Sequence, residues 1–437
     1  MLADLSLVTT AAILFGLLAV LLAFGVWIGI ALLVVGFAAM TVTSVPIGPV
    51  LATTVWSSSA SWTLAALPLF IWMGEILFRT KLSEQMFQGL APWLNWLPGR
   101  LLHVNVVGCG VFAAVSGSSA ATCATIGKIA LPELKKRGYD DMMALGSLAG
   151  AGTLGLLIPP SIPMVVYAIA ANVSVIQVFL AGFLPGLVVM GLYSGYILVW
   201  SLLNPKRTPA REPRTTLAFK LRQSARLFPV LLLIALIFAA LLLGWATATE
   251  CAAWGVLGAL ALAWWSGTLT WETFKESVLS ATRLTVTIML ILAGAAFTTA
   301  AMAFTGIPAA LASWVEAQNL SPYTLIAALA VMYIILGCLI DGISMIVLTT
   351  VVVLPMVKQA GFDLIWFGVF LIILVEMAQI TPPVGFNLFV LQNMSGRDSF
   401  TVARASLPFF FLLVAALAII TVFPEVALHL PKLAFPE

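Results

Sequence analysis

Charged side chains are absent from residues 5–74 of this chain. A helix rises 1.5 Å per residue, so about 20 apolar residues cross a bilayer, and this stretch predicts about three spans. These spans lie at about 7–25, 27–43 and 62–80, and further charge-free stretches occupy 142–205, 227–249, 251–271, 284–315 and 405–424. Only 8% of the residues are charged, whereas soluble domains have about 25%. The sequence therefore predicts an all-α polytopic membrane protein.

Two further apolar stretches are interrupted in the middle by small and polar residues. Residues 101–134 are interrupted at Ser116-Gly117-Ser118-Ser119, and residues 323–357 at Asp341-Gly342-Ile343-Ser344. Non-helical backbone is tolerated at membrane depth only inside protein or beside a water-filled cavity. We therefore predict two re-entrant helical hairpins whose tips lie within the membrane.

Double prolines interrupt two other stretches, 142–172 and 363–394, and predict Pro-broken transmembrane helices. The pairs Pro159-Pro160 and Pro382-Pro383 are offset by 223 residues. Leu131-Pro132 recurs as Leu354-Pro355 at the same offset. With this register each half contains about five transmembrane helices and one hairpin. Because an odd number of crossings turns the second half over, the sequence predicts two inverted-topology repeats.

The basic residues indicate how the chain is oriented. If the first hairpin opens to the cytoplasm, all but three of the 20 Lys and Arg residues are cytoplasmic, the exceptions being Lys128, Lys358 and Lys432. Cytoplasmic loops are enriched in Lys and Arg, so we predict that both termini lie outside. The net charge of +3 gives no reason to expect a nucleic-acid partner.

The double prolines also predict oxygen ligands for a cation. A proline lacks the N–H group that would bond the carbonyl four residues earlier. The carbonyls predicted to be free are those of Gly155 and Leu156 before Pro159 and Pro160, and those of Ala378 and Gln379 before Pro382 and Pro383. Free carbonyls in a dry site are costly unless a cation or water meets them. Sodium is a hard cation that suits such oxygens.

Polar side chains near the tips and breaks extend this predicted site. In the first half they are Ser116, Ser118, Ser119 and Thr122 at the tip, which also contains Gly117, together with Thr153 on the broken helix. In the second half they are Asp341 and Ser344 at the tip, which also contains Gly342, together with Glu376, Gln379, Thr381 and Asn387. The amino ends of half-helices direct N–H groups toward an anion. We therefore predict a site for sodium and an organic anion.

A carboxylate inside the membrane is energetically costly, so it is expected either to pair with a basic residue or to have a functional role. Glu75 fits an ion pair with Arg79 and a functional role equally well. With two histidines and no CxxC pair, the sequence predicts no metal other than sodium and no cofactor.

These motifs resemble the large membrane subunit (M subunit) of tripartite ATP-independent periplasmic (TRAP) transporters. The matching segments are 68–75, 116–122, 124–127, 136–140, 152–155, 158–163, 381–385 and 387–390. The resemblance implies a sodium-coupled importer of small organic anions in a bacterial inner membrane. The termini that the basic residues place outside are then periplasmic. The resemblance implies no enzymatic activity.

The resemblance also implies partners and a division of labour. A periplasmic substrate-binding protein delivers the anion, and a small four-helix membrane subunit enlarges the scaffold. This chain starts at its first span, so the small subunit is expected to be a separate chain. In an elevator mechanism, a transport domain (101–203 and 321–423) moves against a scaffold (1–100 and 227–320). Residues 204–226 are the expected cytoplasmic linker and 424–437 a periplasmic tail.

Other functions fit parts of the same sequence. A proton-coupled organic anion transporter would use the same fold. A passive channel would have the same composition, but it gives no reason for paired hairpins and broken helices. An intramembrane serine hydrolase would need His103 as the base for Ser118 or Ser119. More than a dozen residues separate His103 from these serines, and no third orienting group is evident.

Overall fold

The computed structural model describes residues 6–43, 45–80, 82–209, 216–225, 227–318, 321–338, 340–383 and 385–435. In these ranges the chain forms helices joined by turns, with no strand. The predicted all-helical architecture of a polytopic membrane protein is confirmed at this level.

The first half of the chain contains ten α-helices. They are α1 (Leu7–Ala23), α2 (Ile28–Thr41), α3 (Ile47–Ser59), α4 (Trp62–Phe78), α5 (Leu82–Leu94), α6 (Leu101–Ser116), α7 (Ser119–Lys136), α8 (Asp141–Leu157), α9 (Ile162–Ala170) and α10 (Val175–Leu203). A 3-10 turn (Pro205–Arg207) and α11 (Leu217–Ser224) lie in the linker. Linker residues 210–215 and 226 are outside the described ranges.

The described part of the second half also contains ten α-helices. Its helices are α12 (Phe228–Leu242), α13 (Ala248–Trp265), α14 (Trp271–Thr305), α15 (Ile307–Ala317), α16 (Pro322–Gly337), α17 (Gly342–Gln359), α18 (Leu364–Gln379), α19 (Phe386–Ser395), α20 (Ser399–Val422) and α21 (Glu425–Ala434). Residues 436–437 of the predicted periplasmic tail are outside the described ranges.

Two helices differ from the predicted spans. The search for charge-free stretches of about 20 residues does not predict α3, because its 13 residues are too few to cross a bilayer alone. It also starts a span at residue 284, whereas α14 is one continuous helix from Trp271. The first turns of α14 carry charges that interrupt the apolar stretch without interrupting the helix.

Length and composition identify several helices that could cross a membrane. In the described ranges, α10, α14, α17 and α20 qualify singly, and the total rises to seven if each bent helix pair is one span. Shorter apolar helices of 14 to 17 residues include α2, α6 and α18. Exposed indoles at Trp62, Trp245, Trp265 and Trp271 lie at or next to helix ends, as is typical of residues at membrane surfaces.

Helix bounds in the two halves follow the 223-residue offset. Helices α7 and α17 have 18 residues each, and their first residues, Ser119 and Gly342, differ by this offset. Helices α8 and α18 begin at Asp141 and Leu364, again at this offset. Each is followed by a double proline, with a cis bond between the prolines, and by a second short helix. The helix breaks therefore lie at matching positions of the two halves.

The helices pack as two sets. In one set α14 lies against α2, α3 and α4, and α13 lies against α4 and α12. In the other set α8 contacts α6, α7, α10, α18 and α20. The second arm of each hairpin packs on the outer piece of the other half's broken helix, α7 on α19 and α17 on α9. The two halves are therefore interlocked within the second set.

Small residues allow this close packing around α8. A Cβ added at Gly146 would lie 2.2 Å from the Ala405 carbonyl oxygen of α20, and one at Gly150 would lie 2.6 Å from the Phe409 ring. Every residue of α8 from Met143 to Leu157 is buried. Helix α8 is thus the centre of the second set, and its carboxyl end positions the first helix break.

Candidate functional site

The first hairpin turns at Gly117 and Ser118, between α6 and α7. Gly117 adopts a left-handed conformation (φ +57°), which a residue without Cβ accepts readily. Its N–H group donates to the Ala113 carbonyl (3.1 Å) and ends α6. Ser118 is the N-cap of α7, and its hydroxyl accepts from the Ala121 N–H (3.4 Å). The tip is therefore a helix stop followed at once by a helix start.

Hydroxyl groups of this tip bond to one another. The hydroxyls of Ser116 and Thr122 lie 2.6 Å apart, and Thr122 donates to the Ser118 carbonyl (2.8 Å). Ser116 and Thr122 are buried, while Ser118 is partly exposed. The structure thus brings these three predicted residues together as one oxygen cluster.

The tip lies directly on the first helix break. The Ile162 N–H of α9 donates to the Gly117 carbonyl (3.4 Å). A Cβ at Gly155 would lie 2.4 Å from the Ser118 carbonyl oxygen, and one at Gly117 would lie 2.9 Å from the Pro160 carbonyl oxygen. Gly155 is therefore required for the close approach of α8 to the tip.

Two of the carbonyls predicted to be free are bonded, so the prediction is wrong for these two. The Ser161 hydroxyl donates to the Leu156 carbonyl (2.5 Å), replacing the N–H that Pro160 lacks. In the second half, the Thr381 N–H donates to the Ala378 carbonyl (3.4 Å), because the chain tightens to a shorter turn before Pro382. The Gly155 carbonyl has no donor among the described residues.

Asp341 caps the second hairpin at the start of α17. Its carboxylate accepts from the Ser344 N–H (3.1 Å) and from the Ser344 hydroxyl. A Cβ at Gly342 would lie 2.2 Å from the Val375 side chain and 3.6 Å from the Gln379 amide nitrogen. The second tip therefore lies on α18 near its end, as the first tip lies on α8.

The second helix break is more open than the first. Pro382 and Pro383 are exposed, whereas Pro159 and Pro160 are buried. The Thr381 hydroxyl donates to the Met377 carbonyl (2.6 Å), and the Gly385 N–H donates to the Thr381 carbonyl (3.0 Å). Because the Thr381 hydroxyl donates its proton to a carbonyl, its oxygen lone pairs remain available to a cation or to a hydrogen-bond donor.

Asn387 joins the second half to the first hairpin. Its amide oxygen accepts from the Ser119 hydroxyl (2.9 Å), and its amide nitrogen donates to the Ala149 carbonyl (3.1 Å). Ser119 and Asn387 are buried. The sequence grouped Asn387 with the second hairpin, and spacing could not reveal this partner 268 residues away.

Thr153 does not join the tip hydroxyls. It donates to the Gly150 carbonyl (2.7 Å), and its oxygen lies 3.4 Å from the hydroxyl of the buried Tyr193. Thr153 therefore faces α10, while Gly152 and Gly155 face the hairpin. Sequence reasoning missed Tyr193, because nothing in its apolar surroundings distinguishes it from a packing residue.

The acidic residues Glu75 and Glu376 have different surroundings. Glu75 forms an ion pair with Arg79 (2.6 Å), and Arg79 also donates to the Ser280 hydroxyl of α14 (2.9 Å). The ion pair therefore links α4 to α14. Glu376 is completely buried on α18, and neither carboxyl oxygen has a hydrogen-bond partner among the described residues. It remains a candidate for the cation site.

The hydrolase alternative has no geometric support. His103 contacts the Pro98 carbonyl through Nε2 (2.6 Å) in the first turn of α6. The serines at the tip follow the opposite end of that helix, about 20 Å away at 1.5 Å per residue. In the described ranges no three His, Cys, Asp or Glu side chains are grouped so that they could hold a metal ion.

Most of the chain is similar in sequence to known proteins. The DctM protein of Pseudomonas aeruginosa, a C4-dicarboxylate TRAP transporter large permease protein, is 32% identical over 87% of this chain and 89% of its own length. The sialic acid TRAP transporter large permease protein SiaM of Vibrio cholerae is 28% identical over 85% of this chain and 87% of its own length. These relatives are transporter components, which confirms the prediction that the chain is not an enzyme.

Similarity to a solved structure concerns the fold. The YdaH transporter of Alcanivorax borkumensis, whose crystal structure shows an unusual topology, superposes with a TM-score of 0.63. The match covers 92% of this chain and 97% of that one at 14% identity. The overall arrangement of helices is thus similar to that of the YdaH transporter.

A family model also matches most of the sequence. The model for the DctM component of the tripartite ATP-independent periplasmic transporter matches residues 15–426. The segments that carry the resemblance, both hairpins and both breaks, lie inside this range. The chain therefore belongs to the DctM family of large membrane components of tripartite ATP-independent periplasmic transporters.

Proposed function

We propose that this chain is the transport subunit of a sodium-coupled importer of small organic anions. The observation that carries the proposal is the pairing of each hairpin tip with a broken helix, with Ser119 and Asn387 joining the two pairs. Transporters hold substrate and coupling ion where half-helices meet inside the membrane. Membership of a transporter family supports this assignment.

Sodium would be held by the oxygen atoms at the tips and breaks. In the first half the proposed ligands are the hydroxyls of Ser116, Ser118, Ser119 and Thr122 and the carbonyls of Gly117 and Gly155; Thr153, which faces α10, is left out of this set. In the second half they are Asp341, Ser344, Glu376, Gln379, Thr381 and Asn387, with the backbone of Gly342. Asp341 and Glu376 supply the negative charge that a dehydrated cation needs.

The anion would lie between the two tips. Helices α7 and α17 both begin at a tip, and the first N–H groups of a helix favour an anion. The relatives named above transport C4-dicarboxylates and sialic acid, as their names state. Carboxylates are therefore the substrate class that we propose.

The two packing sets are the proposed moving parts. The set around α8 and α18 corresponds to a transport domain of residues 101–203 and 321–423, and the set around α14 to a scaffold of 1–100 and 227–320. Contacts between the sets include apolar ones, such as Phe70 of α4 against Phe179 of α10 (5.7 Å between ring centroids). Apolar contacts of this kind are not directional and therefore favour sliding, which supports an elevator motion.

The family is one component of a three-part transport system. We propose that the partners are a periplasmic substrate-binding protein and a small four-helix membrane subunit. The proposed location is the bacterial inner membrane, with two inverted halves and both termini in the periplasm. The basic linker then lies in the cytoplasm, as the positive-inside rule requires.

Uptake into proteoliposomes that contain the membrane subunits tests the proposal. With the soluble binding protein and a labelled C4-dicarboxylate or sialic acid outside, we expect accumulation only under an inward sodium gradient. Uptake at the full rate in potassium alone would overturn the sodium coupling. Accumulation driven by a proton gradient would favour the proton-coupled alternative, and equilibration without accumulation would indicate a channel.

A further inference from the structure

A pocket of about 470 Å³ lies beside the second helix break and contains one unpaired arginine. Its walls are formed by Thr381 and Pro382 of the break and by one face of α20. The residues from α20 are Phe400, Ala403, Arg404, Leu407 and Phe410. This volume is in the range of sites for small ligands. The described lining contains no acidic residue.

The sequence of α20 explains why Arg404 lies in this pocket. Positions 400, 403, 404 and 407 follow the i, i+3, i+4, i+7 spacing of one helical face. The neighbouring face is already occupied, because the Ser406 hydroxyl donates to the Ile380 carbonyl (3.3 Å) and the Ala405 carbonyl approaches Gly146 of α8. Packing of α20 on the break therefore holds Arg404 beside Thr381.

Arg404 has no carboxylate within 4.0 Å among the described residues. Nearby arginines differ in this respect. Arg397 pairs with Asp141 (2.7 Å), and Arg137 pairs with Glu133 (2.6 Å). Arg404 is exposed, so its guanidinium is a positive charge at the open edge of a largely apolar pocket, without an ion pair among the described residues.

A guanidinium presents N–H groups in a planar fork that matches two oxygens of a carboxylate or a phosphate. Two sources could supply such an oxyanion here, the transported organic anion or the headgroup of a phospholipid. The pocket is continuous with the second break through Thr381 and Pro382. This continuity favours the transported anion, which is held next to the same break in the function proposed above.

We propose that Arg404 forms an oxyanion subsite beside the second helix break, which binds a carboxylate of the transported anion. The subsite rests on the proposed function for the identity of its ligand. Its geometry does not depend on sodium coupling.

Thermal unfolding of the purified, lipid-depleted protein tests binding without transport. We expect sodium succinate or sodium N-acetylneuraminate to raise the unfolding midpoint of the wild type above its value in an equal concentration of sodium chloride. The rise should be lost in Arg404→Gln, partly kept in Arg404→Lys and fully kept in Arg397→Gln, the matched control. No rise with either acid in the wild type, or an equal rise in Arg404→Gln, would overturn the subsite.

Two further experiments are needed. One distinguishes a carboxylate from a phosphate ligand, and the other tests the subsite separately from sodium coupling. Inorganic phosphate that raises the midpoint as much as the carboxylates would show a headgroup or general anion site and overturn the carboxylate assignment. In proteoliposomes, Arg404→Gln should raise the half-saturating internal concentration for anion exchange by about tenfold or more, as for the loss of a charged hydrogen bond. Sodium-independent uptake by the wild type would refute the coupling and leave the thermal result to decide the subsite.

Discussion

At the scale of single residues, Gly155 determines whether the first hairpin can rest on its broken helix. A Cβ at this position would lie 2.4 Å from the Ser118 carbonyl oxygen and 2.8 Å from the Ser119 nitrogen. Both are backbone atoms, which cannot rotate away as the end of a side chain can. The oxygen cluster of the tip is therefore positioned by the absence of a side chain on α8.

Replacing Gly155 with alanine should displace the tip and reduce sodium-driven uptake. Overpacking of this kind costs about 1–3 kcal/mol of unfolding free energy. The matched control is Gly191→Ala on α10, where, apart from nearby backbone of α10 itself, no described atom lies within 4 Å of the added Cβ. That variant should unfold within about 1 kcal/mol of the wild type, because alanine is favoured over glycine in helices. Equal midpoints and equal uptake for the two variants would refute the role of Gly155.

Residue spacing predicted where the hairpin tips and helix breaks lie, but not the hydrogen bonds between their residues. Proline chemistry and polar hairpin tips are local properties, so Ser116 to Thr122 and Asp341 to Ser344 could be found from the sequence. The bond between Ser119 and Asn387 could not, because it depends on how two distant helices pack. The Ser161 hydroxyl was also overlooked, although a hydroxyl next to a double proline can replace a missing N–H.

At the scale of helices, Asp341 at the start of α17 is an observed N-cap and a proposed sodium ligand, and the two roles can be separated. As an N-cap it accepts from the Ser344 N–H (3.1 Å). As a carboxylate it would supply charge to a sodium ion at the second tip. Asparagine caps a helix about as well as aspartate. The change of Asp341 to asparagine therefore removes the charge and keeps the cap.

We expect Asp341→Asn to keep the unfolding midpoint of the wild type and to lose sodium-dependent uptake. Asp341→Ala should lose the uptake and in addition about 0.5–2 kcal/mol of stability, the usual value of an N-cap. The control is Asp363→Asn, since Asp363 caps α18 at its other end and accepts from the Trp366 N–H (3.0 Å). This control should transport normally. A wild-type sodium dependence in Asp341→Asn would show that Asp341 is only a cap.

Helix positions were predicted best where the two halves corroborate one another. The offset of 223 residues locates both double prolines, and α7 and α17 begin 223 residues apart. Where such support is lacking, as for α3, the prediction failed. A length criterion of about 20 apolar residues finds helices that cross a bilayer, but it does not find a helix of 13 residues such as α3.

At the scale of the whole molecule, the packing suggests which surfaces move. Helix α4 contacts both sets, with Trp72 donating to Ser277 of α14 (3.2 Å) and Phe70 packing on Phe179 of α10. The contact with α14 lies inside the proposed scaffold. The contact with α10 crosses from the scaffold to the proposed transport domain. A single helix thus offers a fixed contact and a sliding contact for comparison.

Cross-links at these two contacts should have opposite effects on transport. In a variant without its native cysteines, we expect a short bifunctional thiol reagent to stop uptake by Phe70→Cys/Phe179→Cys, because an elevator cannot move when its two parts are joined. The pair Trp72→Cys/Ser277→Cys should be cross-linked to a similar extent and still transport. Each variant is measured before and after the reagent, so that effects of the substitutions themselves are subtracted. Undiminished uptake after cross-linking α4 to α10 would exclude relative motion of these helices, and with it the elevator division proposed for this chain.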